Sequence, residues 1–267
     1  MSLGLVVLTD EGVVLAAESL GTLLVQKQST IKSKCPKCNE EIQPNIACPK
    51  CSTILGPTPT FSMQIPATHT YYCQKLFKIN KTTGLIIVGN PTFGSIKAQQ
   101  IIFSFINWLK QKSKINDYTE QILQDWQEYC DEAKVLEKHT GKTELAFAGI
   151  ILKDIVVPFV QNIIIENGKM IKGTTINSGI MAIGVHEILD KMFGGGGIAE
   201  YPVKEFPLQD AVEFIEFLIK TQIGVDKYTA RIPRVGGDID IAIVHPNYGF
   251  RWVKQKELLK MIMENED

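Results

Sequence analysis

Leu5-Val6-Val7-Leu8-Thr9-Asp10-Glu11-Gly12-Val13-Val14-Leu15-Ala16-Ala17 is the stretch on which the reading of the fold turns. Leu5 to Leu8 and Val13 to Ala17 are short β-prone runs. A polar turn ending in glycine separates them, which predicts a hairpin. A second pair follows the same rule: Leu76-Phe77-Lys78-Ile79, a turn over Asn80 to Gly84, then Leu85-Ile86-Ile87-Val88. Between the hairpins, from Gly21 to Tyr72, the character changes to polar residues, with Pro44, Pro49, Pro57, Pro59 and Pro66. That segment reads as an insertion into one sheet.

Beyond the second hairpin, Ile101, Ile102, Phe105, Ile106 and Leu109 recur at helical spacing. Ile122, Trp126 and Ala133 do the same after a candidate cap at Asp117. Leu145 to Leu152, Ile155 to Ile165 and Met170 to Ile176 read as strands, and Gly179 to Phe193 and Asp210 to Ile223 as helices. Ile239 to Val244 and Phe250 to Val253 form a hairpin around Pro246-Asn247-Tyr248-Gly249, and Gln255 to Met263 a closing helix. Paired helices alternating with antiparallel strands predict an α/β fold with two sheets between helix layers, a four-layer αββα sandwich. The expected domains are residues 1–20 with 73–267, and an insertion over 21–72.

The chain has 267 residues, 45% of them hydrophobic and 21% charged, with a net charge of −1 and a pI near 6.5. This balance argues against disorder and supplies no polybasic field for nucleic acid. No apolar run approaches the ~20 residues of a membrane-spanning helix. Met1-Ser2-Leu3-Gly4 lacks the basic and apolar regions of a secretory signal, so a cytoplasmic location is expected.

Four of the six cysteines lie in two Cys-Pro-Lys-Cys steps, Cys35 with Cys38 and Cys48 with Cys51. Each step sets two sulfurs on one side of a tight turn, and four thiolates close a tetrahedral shell around one Zn²⁺. A closed shell leaves no position for water, so the metal is expected to be structural, in a zinc ribbon over about residues 33–54. A redox dithiol is the alternative for such pairs. Lys34, Lys37 and Lys50 give the ribbon some positive charge, but it lacks the aromatic residues on which single strands stack. Cys73 and Cys130 belong to no motif and read as packing residues. His69, His139, His186 and His245 have no metal-ligand spacing. Gly194 to Gly197 lacks the trailing lysine and hydroxyl of a phosphate loop and reads as a flexible connection.

Gly12 through Ser19, Lys75 through Asn80, Gly84 through Gly89 and Gly236-Gly237-Asp238-Ile239-Asp240, taken in order, resemble the β-type subunits of the proteasome. The resemblance covers nearly the whole chain except the insertion, and implies an N-terminal-nucleophile hydrolase. It places the nucleophile at Ser2, freed by removal of Met1, where the family has threonine. The α-amine of Ser2 would be a base with a pKa of ~7.7–8.0, near working pH. The resemblance makes Lys75 the lysine beside the nucleophile, Glu18 its acidic partner, Gly89 the oxyanion donor and Ser178 a helper near the nucleophile. Read alone, Lys75 and Glu18 are more simply a surface strand pair, while Gly89 is equally a turn and Ser178 equally a helix cap. One departure is Ile232, where the family carries aspartate. The implied activity is cleavage or transfer of peptide bonds in a peptide or protein substrate, by a homo-oligomer that can form a ring. The alternative is a non-catalytic subunit or scaffold that uses the ribbon for docking.

Overall fold

In the computed structural model the strand Leu3–Leu8 (β1) is buried along its whole length. Its residues divide by parity: Leu3, Leu5 and Val7 enter one core, Val6 and Leu8 another. Successive strand side chains point to opposite faces, so a continuous apolar run requires cover on both sides. The structure describes residues 2–30, 33–34, 37, 41–42, 50–52, 60–70, 73–112, 119–152, 155–193, 202–229 and 233–256.

After β1 come β2 (Val13–Glu18), β3 (Gly21–Thr30), β4 (Ser33–Lys34), β5 (Glu41–Ile42), β6 (Thr60–Thr70), β7 (Leu76–Lys78), β8 (Thr83–Gly89), β9 (Thr92–Phe93) and β10 (Ile96–Lys97). Two helices follow, α1 (Ala98–Gln111) and α2 (Thr119–Glu132), then β11 (Lys142–Leu152), β12 (Val156–Glu166), β13 (Lys169–Ile176) and β14 (Gly179–Gly184). The short α3 (Glu187–Met192) and the long α4 (Leu208–Tyr228) precede β15 (Ile239–His245) and β16 (Gly249–Lys254). The chain forms two compact units, Met1–Gly21 with Thr70–Asp267, and Thr22–His69.

The larger unit holds two five-stranded antiparallel sheets, β14-β1-β2-β15-β16 and β13-β12-β11-β8-β7. Their facing sides share a core that includes Val6, Leu15, Ile86, Ala146, Ile183 and Phe250. The outer side of the first sheet packs on α3 and α4 through Leu189, Ile215 and Leu218. The outer side of the second packs on α1 and α2 through Ile102, Phe105 and Trp126. Glycine lets the facing sheets approach closely. A Cβ on Gly4 would lie 2.5 Å from Ile86 Cγ2, and one on Gly84 would lie 2.9 Å from both Leu15 Cδ2 and Phe250 Cε2.

The smaller unit contains β3 paired with β6, and β4 paired with β5 in the register Ser33↔Ile42, Lys34↔Glu41. Cys35, Cys38 and Cys48 lie outside the described residues, as do Asp117, Gly194 to Gly197 and Ile232. Cys51 is described, half-buried in a turn. Among the described residues no group of three or more His, Cys, Asp or Glu side chains is placed to hold a metal.

The expected class, an α/β four-layer αββα sandwich with an inserted zinc ribbon, is corrected. The described residues are mostly antiparallel β-sheet with four α-helices. Short connections pair β1 with β2, β7 with β8, β11 with β12, β12 with β13 and β15 with β16, and the distant pairs β14–β1, β2–β15 and β8–β11 are antiparallel as well. Part of the expected helix is strand. Gly179 to Phe193 is not one helix, because β14 pairs with β1 from Leu3↔Gly184 to Leu8↔Gly179 and only Glu187–Met192 is helical. Ile180 faces one core while Met181 and Ile183 face another, the alternation of a strand. Gln255 and Lys256 are not helical, and the rest of the expected closing helix lies outside the described residues. Among the described residues no helix is long and apolar enough to cross a membrane.

Phe105 is fully buried, its ring edge-on to Trp126 with centroids 4.9 Å apart. Phe105→Ala is expected to cost about 3–5 kcal/mol in urea unfolding. Ile96→Ala, at a side chain 45% exposed, should stay within about 0.5 kcal/mol of the parent.

Candidate functional site

Glu18 ends β2 and is fully buried, where a carboxylate is tolerated only if its charge and lone pairs are met. They are met from four directions. Oε1 accepts the Leu3 amide at 3.1 Å and the Lys75 ammonium. Oε2 accepts the Leu20 amide at 2.7 Å and the Gly236 amide at 3.1 Å. One side chain thus ties the start of β1, the end of β2 and the Gly-Gly step before β15.

Lys75 arrives from a chain segment 57 positions away. That segment is aligned by its backbone: the Cys73 amide donates to the Ser19 carbonyl at 3.0 Å, and the Lys75 carbonyl accepts the Ile87 amide at 2.9 Å. The Lys75 ammonium also donates to the Leu20 carbonyl at 2.5 Å. Burial lowers the pKa of Lys75 below the ordinary lysine value, and the Glu18 carboxylate beside it acts in the opposite direction. Such a lysine releases a proton more readily than an exposed one, as a proton relay requires.

Ser2 is buried, and its carbonyl accepts the Val185 amide at 2.8 Å. Gly184, paired with Leu3, has φ +85, and a Cβ there would lie 2.0 Å from the Ser2 carbonyl oxygen. No other residue fits without displacing Ser2. Lys75 is linked to this strand end through Glu18 Oε1, which it shares with the amide of Leu3. Gly89 belongs to the same end: it lies two residues beyond Ile87, and its neighbour Val88 places Cγ2 3.3 Å from the Cβ position of Gly184. Gly89 itself has φ +104, and an added Cβ would meet the Lys142 carbonyl at 2.5 Å, so the backbone alone already requires glycine.

Ser178 is not brought to this cluster. It is exposed in the turn before β14, at the Leu8 end of β1. At ~3.4 Å per residue that is roughly 17 Å from the Ser2 end. Gly179 opens a strand, so Ser178 is not a helix cap either. The residue that β14 delivers beside Ser2 is Val185. The nearest carboxylate before Ile232 in sequence, Asp226, is buried and committed elsewhere. It accepts the Arg234 amide and, at 3.1 Å, the Arg234 Nε, while the Arg234 guanidinium also grips Glu187 at 3.1 and 2.9 Å. This clamp holds the loop that presents Gly236 to Glu18.

Sequence reasoning passed over Glu144 and Lys256, and quoted Asp240 within the Gly-Gly motif without giving it a role. Glu144 Oε2 accepts the Gly184 amide at 3.4 Å, and its carboxylate pairs with Lys142 at 2.7 Å. Asp240 and Lys256 form a buried ion pair at 2.7 Å. A charged residue between the inward apolar positions of β15 was the available signal for Asp240. No pattern marked Lys256.

Behind Gly89 stands His139, whose Nε2 is 2.9 Å from Thr143 Oγ1, on the residue that faces Gly89 across the sheet. Burial lowers its pKa below the ordinary histidine value, and its buried Nδ1 has no hydrogen-bond partner among the described residues. Below about pH 6.5 the unfolded chain binds a proton there that the folded chain resists, so stability falls as pH drops. His139→Gln should flatten the decline in melting temperature between about pH 7 and 5. No family model matches this chain, and no curated protein matches it.

Proposed function

We propose that the chain is a proteasome-like N-terminal-nucleophile hydrolase that cleaves or transfers peptide bonds through Ser2. The supporting observation is the shared oxygen of Glu18, which joins Lys75 to the backbone beside Ser2 across 57 positions of sequence. With Met1 removed, Ser2 Oγ attacks a peptide carbonyl and its proton passes to the α-amine. Lys75 assists that transfer electrostatically. The Gly89 amide holds the oxyanion. Collapse expels the amine leaving group with a proton and leaves an ester on Ser2. Water then hydrolyses the ester, or a second amine takes the acyl group and makes the enzyme a transpeptidase. The substrate is a peptide or protein, the working form a homo-oligomer, ring-shaped as the resemblance implies, and the location cytoplasmic. Cys35, Cys38, Cys48 and Cys51 bind one structural Zn²⁺ in the insertion. The donor set suits it, and the β4–β5 pair flanks the first Cys-Pro-Lys-Cys step.

A specific observation favours a second reading, a non-catalytic scaffold that docks through its ribbon. Val185 lies beside Ser2, Ser178 is remote, and the expected carboxylate is absent at Ile232. A peptide vinyl sulfone separates the two. In the hydrolase, native protein lacks Met1 and gains one probe mass, and Ser2→Ala abolishes labelling. Lys75→Met should slow labelling by about 100-fold. Retained Met1 with no labelling supports the scaffold.

Native mass spectrometry should find one zinc per chain, lost in Cys35→Ser/Cys38→Ser. In that variant the larger unit should keep its cooperative melting. A metal-free native chain overturns the zinc assignment.

A further inference from the structure

Beside Glu18 and Lys75 lies a second buried ion pair with no part in the acyl transfer. β15 pairs with β2 so that Ile239 faces Glu18 and Asp240 faces Ala17. Ile239 and Ile241 face the α4 core while Ala242 and Val244 face the second sheet, so Asp240 projects toward the second sheet. Its partner comes from beyond β16: Lys256 donates its amide to Asp240 Oδ1 at 3.0 Å and its ammonium to Oδ2 at 2.7 Å. Both side chains are 2% exposed. The same ammonium donates to the Cys73 carbonyl at 2.8 Å. Cys73 lies two residues before Lys75, and its amide is held by Ser19.

A buried pair of this kind is a weak source of stability, because desolvation consumes most of the attraction. Its geometry has a directed effect instead. Asp240 leaves Lys256 one orientation, and in that orientation the ammonium grips the backbone that delivers Lys75. We propose that Lys256 is a positioning residue for Lys75, fixing through the Cys73 carbonyl the segment that carries Lys75 to Glu18; this rests on reading Lys75 as a working part of the site. The two ammonium groups also feel each other. Desolvation is the main cause of the lowered Lys75 pKa, Glu18 and Cys73 oppose it, and Lys256 adds to it. Asp240 is held behind Lys256, with the charge of Asp238 near it.

The test uses the full chain as Lys256→Met, Lys256→Arg and the double variant Lys256→Met/Asp240→Leu, which leaves no lone buried charge. Two quantities are read: the titration midpoint of the Lys75 ¹³Cε resonance, assigned with Lys75→Arg, and the rate of Ser2 acylation by a peptide vinyl sulfone. In Lys256→Met the midpoint should rise, since a neighbouring cation is gone and Asp240 loses its counter-charge. Acylation should slow by about tenfold or more. Lys256→Arg should restore both, as it keeps the charge and a donor for the Cys73 carbonyl. If Lys256→Met does not fold, the double variant is read by the same two measurements. A folded variant lacking the Lys256 charge, with midpoint and acylation rate both unchanged, overturns the proposal. A wild-type chain whose Ser2 is never acylated defeats the hydrolase reading alone, and the Lys75 midpoint then decides the role of Lys256.

Discussion

The buried carboxylate of Glu18 is the constraint around which the larger unit is organised. An ionised group with no water must receive its hydrogen bonds from the protein, and Glu18 receives three from backbone amides and one from an ammonium. Those donors come from the first strand, the residues just after the second, the loop before the fifteenth and the segment after the insertion. Moving one of the amides leaves a buried lone pair unmet, and moving the ammonium leaves a buried charge unpaired, which costs several kcal/mol. The Arg234 clamp on one side and the Lys256 latch on the other are further supports for the same arrangement. Ser2 stands at the strand end so fixed, its carbonyl held by Val185 and its neighbour held by Glu18.

The apolar framework sets a different kind of order. Every central strand is covered on both faces, and residue parity decides which core each side chain enters. A slip of one residue would exchange the two faces of a strand and send Glu18 to the wrong side. Hydrophobic alternation thus fixes the coarse register, and the polar contacts of Glu18 and Lys75 act within it.

The hairpins were legible because β-branched runs flank short polar turns, and α1 because Ile101, Ile102, Phe105 and Leu109 fit no other period. Gly179 to Phe193 was misread for a physical reason. Ile180 and Ile183 are three apart, which suits a helix face as well as two opposite strand faces, and only pairing with β1 decides between them. The αββα class was read from paired helices alternating with strands along the chain, and this segment supplied one of those helices. At the site, Glu18 and Lys75 could be matched by local pattern and then found in contact. Ser178 could not be placed, because a short Ser-Gly step carries no register information. Lys256 was invisible, since a lysine near a chain end is ordinarily solvated and its burial depends on Asp240 and a carbonyl far away in sequence.

The close approaches of Gly4 to Ile86 and of Gly84 to Leu15 and Phe250 have a mechanical consequence. Each sheet sends side chains into a notch that only a missing Cβ leaves open on the other, one notch in each direction. Sliding either sheet would drive a methyl or a ring into backbone, so shear is blocked while rotation about the interlocked points is not. Rearrangement that widens access to the strand end at Ser2 must then proceed as a hinge-like parting of the sheet margins. The two glycines that bar sliding are not among the hydrogen-bond partners of Glu18 or Lys75.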